Sequence, residues 1–79
     1  MAMNQEAAIN GILQRLDEAR QLHPKWPADR IHQAAIMAEE AGESIQAAID
    51  YTYRERSVGD FHWEVMQTAA MCLRILTEA

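Results

Sequence analysis

The chain has 79 residues, 49% of them hydrophobic, with a formal net charge of −5 and one cysteine. This length allows one domain over residues 1–79, and the lone Cys72 excludes both an internal disulfide and a cysteine-built zinc site. The seven Lys and Arg are scattered, which argues against a nucleic-acid partner, and no apolar run reaches the roughly 20 residues of a membrane span.

At the N-terminus, Met1 to Gln5 has neither a basic region nor an apolar core, so no signal peptide is expected. With a single thiol, the expected location is the cytoplasm. A first helix is predicted from about Asn4 to Gln21. Ile9, Ile12, Leu13 and Leu16 recur at the helical period, and Gln14, Arg15, Asp17 and Glu18 lie off that stripe. Gly11 weakens this helix by about 1 kcal/mol relative to Ala; in a packed helix it can also admit another backbone. The segment His23-Pro24-Lys25-Trp26-Pro27 then breaks the chain, because each proline disfavours helical geometry in the residue before it. Pro27 is expected in the first turn of the next helix.

A second helix is predicted from Ala28 to Tyr53. One of its faces carries Ile31, Ala35, Ala38, Gly42, Ile45 and Ile49, small enough in places for close helix contact. After a loop from Arg54 to Gly59, a third helix is predicted from about Asp60 to Thr77, with Phe61, Val65, Ala69, Cys72 and Leu76 as its apolar stripe. No period-two β-branched run occurs, so the fold class is all-α: a helical hairpin with the N-terminal helix packed across it. A chain this short is marginally stable alone. The high apolar fraction therefore predicts a homo-oligomer, a dimer or tetramer, whose copies complete a helical bundle.

The acids carry the chemistry. Glu40 and Glu43 project about 60° apart on the second helix. Glu39 lies one turn from Glu43, and Asp50 two turns beyond it. On the third helix Asp60 and Glu64 share a side, which Gln67, Met71 and Arg74 continue. If the two helices pack antiparallel, these rows face each other across one cleft. Crowded carboxylates repel unless a cation bridges them. All-oxygen ligands suit Mg²⁺ or Mn²⁺. The plain alternative is a solvated acidic face on a helical interaction protein.

Glu39-Glu40-Ala41-Gly42-Glu43, followed by Ser44-Ile45-Gln46-Ala47-Ala48-Ile49, resembles the Glu-x-x-Glu helix of the MazG-like, all-α NTP pyrophosphatases. Glu64-Val65-Met66-Gln67 stands in the place of that family's Glu-x-x-Asp, and Pro24-Lys25-Trp26-Pro27-Ala28-Asp29 resembles its Pro-Trp segment. The tail Gln67-Thr68-Ala69-Ala70-Met71 is similar to short phage- or mobile-element-like members. The likeness runs from Pro24 to Ala79. It implies hydrolysis of a nucleoside triphosphate to monophosphate and pyrophosphate, a house-cleaning reaction on non-standard nucleotides. Glu40, Glu43, Glu64 and Gln67 would hold the metal, and Glu39 would orient or deprotonate the attacking water beside the catalytic Glu40 and Glu43. Lys25, Arg54, Arg56 and Arg74 are candidates for phosphate oxygens.

Gln67 departs from the family pattern. Its amide carbonyl can ligate Mg²⁺ but brings no charge and cannot act as a base. This leaves open a nucleotide-binding protein without catalysis. Trp26 and Trp63 suit either base stacking or packing. His23, His32 and His62 share no metal-ligand spacing, and Cys72, Met66 and Met71 read as packing residues.

Overall fold

The computed structural model describes residues 2–78. It holds three helices, α1 (Gln5–Leu22), α2 (Arg30–Tyr53) and α3 (Val58–Thr77), and no strand among the described residues. Among the described residues, no helix is long and apolar enough to cross a membrane.

Side-chain caps decide where the helices begin. Asn4 accepts from the Ala7 amide at 2.8 Å and starts α1. Asp29 accepts from the Ile31 amide at 3.0 Å, so α2 starts at Arg30 rather than Ala28. Ser57 accepts from the Asp60 amide at 3.1 Å, which moves the start of α3 forward from Asp60 to Val58. In each case a short polar side chain satisfies an orphan amide of the first turn. Asp60 then sits in that turn, where its charge suits the helix dipole.

α2 and α3 pack as an antiparallel hairpin. Cross-contacts run in opposite directions: Met37 meets Cys72 at 3.4 Å, and Ser44 meets Thr68 at 3.0 Å. α1 lies against α3 rather than α2. Leu16, Ala70 and Met71 form the core, with Ala19, Trp26, Ile36, Met37 and Leu73 packed around it.

The buried stripes differ from those expected. Leu16 is buried, but Ile9 and Leu13 are exposed. On α3 the buried line is Ala70, Met71 and Arg74, while Leu76 is 79% exposed. On α2 the side towards α3 carries Met37, Glu40, Ser44 and Ala47, and the Ile31–Ile49 face points outward. Apolar periodicity marks every non-polar face of a helix and does not say which one the same chain covers.

One arginine departs from expectation for the same reason. Arg15, expected off the stripe, is buried: its guanidinium lies 3.8 Å from the Trp63 ring centroid and pairs with Glu18 at 2.7 Å. A long aliphatic stem and a ring-stacking head let arginine serve as a packing residue. At Gly11 the close neighbour is a side chain, not a backbone; a Cβ there would lie 2.3 Å from Met66 Sδ.

The linker between α1 and α2 is pinned by buried polar groups. Arg74, 2% exposed, donates to the His23 carbonyl at 3.1 Å, pairs with Glu78 at 3.0 Å and stacks 4.5 Å from the Trp26 ring centroid. Gln33, fully buried, donates to the Pro27 carbonyl at 2.6 Å and accepts from Arg30 at 3.1 Å. Pro27 therefore lies ahead of α2 and not in its first turn.

Candidate metal centre

Glu40, Glu43 and Glu64 each bring a carboxylate oxygen to within 4.8 Å of the other two. Glu40 and Glu43 come from adjacent turns of α2, and Glu64 from the facing side of α3. Antiparallel packing thus achieves the convergence expected from sequence. Glu40 and Glu64 are half-buried and Glu43 is exposed.

A hydroxyl clasp fixes the two backbones one turn along from the acids. Thr68 donates to the Glu64 carbonyl at 3.0 Å. Ser44 Oγ lies 3.2 Å from the Glu40 carbonyl and 3.0 Å from Thr68 Oγ1. Hydrogen bonds of this length hold the Glu40 and Glu64 turns in register. Sequence reading passed over this pair. The signal it missed is a hydroxyl four residues after each acid, at Ser44 and Thr68.

The electrostatics match the geometry. The Glu40 carboxyl is raised from its usual 4.5 to about 7, and burial is the largest cause. A hydrogen bond with Glu43 and repulsion from Glu43, Glu64 and Glu39 add to this. The load falls where a cation would relieve it. Asp50, although on α2, is drawn elsewhere. Arg54 bonds to it, Arg56 reaches it at 3.4 Å, and its carboxyl is lowered, chiefly by the Arg54 hydrogen bond. Arg56 also approaches Asp60 at 3.5 Å and Glu64 at 3.7 Å, so one guanidinium tethers the outer side of the trio.

Beside the trio opens a cleft of about 480 Å³, within the size range of small-molecule sites. Glu39, Glu40, Gln67, Lys25, Trp26 and Trp63 are among the residues that line it. The buried Trp26 indole N–H has no hydrogen-bond partner among the described residues. The four candidate cations are placed differently. Lys25 lines the cleft with no ion pair among the described residues, and Arg54 and Arg56 are held by the acids above. Arg74 also borders the cleft, but its guanidinium is engaged by Glu78, His23 and Trp26. Cys72 is half-buried against Met37, as a packing residue.

The donor set fits a hard divalent cation: three carboxylates, no sulfur and no imidazole among the clustered groups. A pH dependence follows for the metal-free protein. Between 4.5 and about 7 the folded chain binds a proton at Glu40 that the unfolded chain has released. The stability this proton contributes is complete below 4.5 and is lost as pH rises through about 7. A divalent cation held by the three carboxylates would take the place of that proton. Thermal melts should therefore show a larger stabilisation by Mg²⁺ at pH 8 than at pH 5.5, and Glu40→Gln should remove the difference. Equal Mg²⁺ shifts at both pH values would contradict it.

No protein-family model matches this chain, and neither curated proteins nor solved structures give a match.

Proposed function

We propose that this chain is a Mg²⁺-dependent nucleotide pyrophosphohydrolase of the MazG-like kind its sequence resembles. The observation that supports this most is the meeting of Glu40, Glu43 and Glu64 within 4.8 Å at the edge of a cleft lined by two tryptophans and a lysine. Glu40, Glu43 and Glu64 would hold the ion, with Gln67, which lines the cleft, as a neutral oxygen donor. Mg²⁺ bound there supplies neutralisation of phosphate charge and a more acidic water. Lys25 pairs with phosphate oxygens, and Trp26 and Trp63 offer faces on which a base can stack. Glu39 orients the attacking water and takes its proton. One water adds to the triphosphate, one P–O bond breaks, and the products are the nucleoside monophosphate and pyrophosphate.

A second reading rests on Gln67. In the resembled motif this position is Asp, and here it brings no charge to the cleft that Glu39 and Glu40 also line. A chain short of one carboxylate can bind a nucleotide and leave it intact. The deciding experiment is a pyrophosphate-release screen over common and damaged nucleoside triphosphates, with and without Mg²⁺, alongside Glu43→Gln. Mg²⁺-dependent release that vanishes in the variant supports the enzyme. Nucleotide-dependent thermal stabilisation without release favours the binding protein. Absence of both leaves a helical interaction protein.

A further inference from the structure

The loop between α2 and α3 places one cation against the carboxylate trio. Arg54 closes α2 and Ser57 caps α3, so Arg56 stands just ahead of the third helix. Arg56, Asp60 and Glu64 follow each other at four-residue spacing, which sets both acids on the side of α3 nearest the loop arginine. Asp50 meets them from the end of α2. The Arg56 guanidinium lies 3.4 Å from Asp50, 3.5 Å from Asp60 and 3.7 Å from Glu64. Among the described residues, no other cationic side chain forms an ion pair with Glu40, Glu43 or Glu64.

These contacts supply charge more than direction. None is shorter than 3.4 Å, whereas a guanidinium that fixes a carboxylate makes short parallel bonds. Arg54 bonds closely to Asp50 and pairs with no member of the trio. Shelter keeps the Arg56 charge effective: the Glu64 side chain is 18% exposed and that of Arg56 34%. Salt screens over about 8 Å under physiological conditions, well beyond this contact distance.

We propose that Arg56 is the built-in counter-ion of the candidate metal centre and sets how tightly a divalent cation is held there. The inference rests on the reading of Glu40, Glu43 and Glu64 as a cation site and adds what tunes it. In the metal-free chain the guanidinium offsets part of the repulsion at Glu64. Towards an ion on the trio it is a like charge and opposes binding. The centre therefore takes its ion less tightly than three unopposed carboxylates would.

Binding of Mn²⁺ to the whole chain at pH 8, read by electron paramagnetic resonance, tests this without turnover. Arg56→Gln should bind Mn²⁺ on the order of tenfold more tightly than the native chain, the scale of one like charge removed from a partly sheltered contact. Damage to the fold weakens binding, so a gain in affinity is not open to that explanation. Arg56→Lys should return the native affinity, because it restores the charge. Arg54→Gln removes the same charge from the same loop and should shift affinity less than about twofold. Should Arg56→Gln fail to fold, nuclear magnetic resonance of the native chain reads the same contact: the Arg56 Nε–H signal should move as Mg²⁺ is added, and that of Arg54 much less. Mn²⁺ held by Arg56→Gln no more tightly than by the native chain overturns the proposal and leaves the cation site standing. So does an equal gain in Arg54→Gln, or an Arg56 signal that Mg²⁺ leaves unmoved. If the native chain and Arg56→Gln both leave Mn²⁺ free, the cation site and the proposal fall together.

Discussion

Replacing Glu64 by glutamine is expected to lower Mg²⁺-dependent pyrophosphate release by on the order of a hundredfold or more, without lowering the melting temperature of the metal-free protein. The substitution keeps shape and removes charge. Glu64 is the one member of the trio contributed by α3, so its loss leaves Glu40 and Glu43 as a pair on a single helix. The same change relieves repulsion on Glu40, whose carboxyl Glu64 helps to raise. A residue that served only the fold would give the opposite pattern, a lower melting temperature with activity falling in proportion. Asp60→Asn is the matched control. Asp60 reaches Arg56 at 3.5 Å and is not one of the clustered acids. As an exposed ion pair it contributes little, and its variant should keep most of the rate. Steady-state assays with thermal melts on both variants decide the point; an active Glu64→Gln enzyme removes Glu64 from the site.

Arg74→Ala is expected to destabilise the chain by about 3 kcal/mol, the scale of removing one partner from a buried polar network. For a domain this small that corresponds to a fall in melting temperature of more than about 10 °C. Three groups lose a contact together: the Glu78 carboxylate, which keeps only Arg20 at 3.0 Å, the His23 carbonyl and the face of Trp26. Lysine should rescue poorly, because a point charge cannot make the parallel donations to Glu78 and stack on the indole as well. The loss reaches function through the linker. Arg74 holds the segment that carries Lys25 and Trp26 along the cleft. Arg74→Lys, if it folds, should therefore raise KM for nucleotide more than it lowers kcat. Urea denaturation measures the first effect. A loss below about 1 kcal/mol would mean that the network is dispensable.

Much of this layout is written locally in the chain. Asn4, the Pro24–Pro27 break and the sparse glycines mark three helices to within a turn. Glu40, Glu43 and Glu64 could be brought together on paper because a hairpin with a short loop must run antiparallel. The caps Asp29 and Ser57 are legible too, as short polar side chains directly ahead of α2 and α3. What the sequence does not disclose is which apolar face is used within the chain. α2 has two faces that a neighbour can cover, and both carry the helical period. Nor does composition distinguish Arg74, buried under Trp26, from Arg54, exposed and paired with Asp50. That difference depends on where the linker returns over α3, which is a long-range property. The same holds for Ser44 and Thr68, whose contact exists only once α2 and α3 are in register.

Everything proposed for this chain depends on Glu40, Glu43 and Glu64 acting as one divalent-cation site. Electron paramagnetic resonance of free Mn²⁺, titrated with the chain at pH 8, tests it without assuming any substrate. One tightly held Mn²⁺ per chain is expected, displaced by excess Mg²⁺ and lost in each of Glu40→Gln, Glu43→Gln and Glu64→Gln. A wild-type chain that leaves the Mn²⁺ signal free, or three variants that bind as the wild type does, would contradict it.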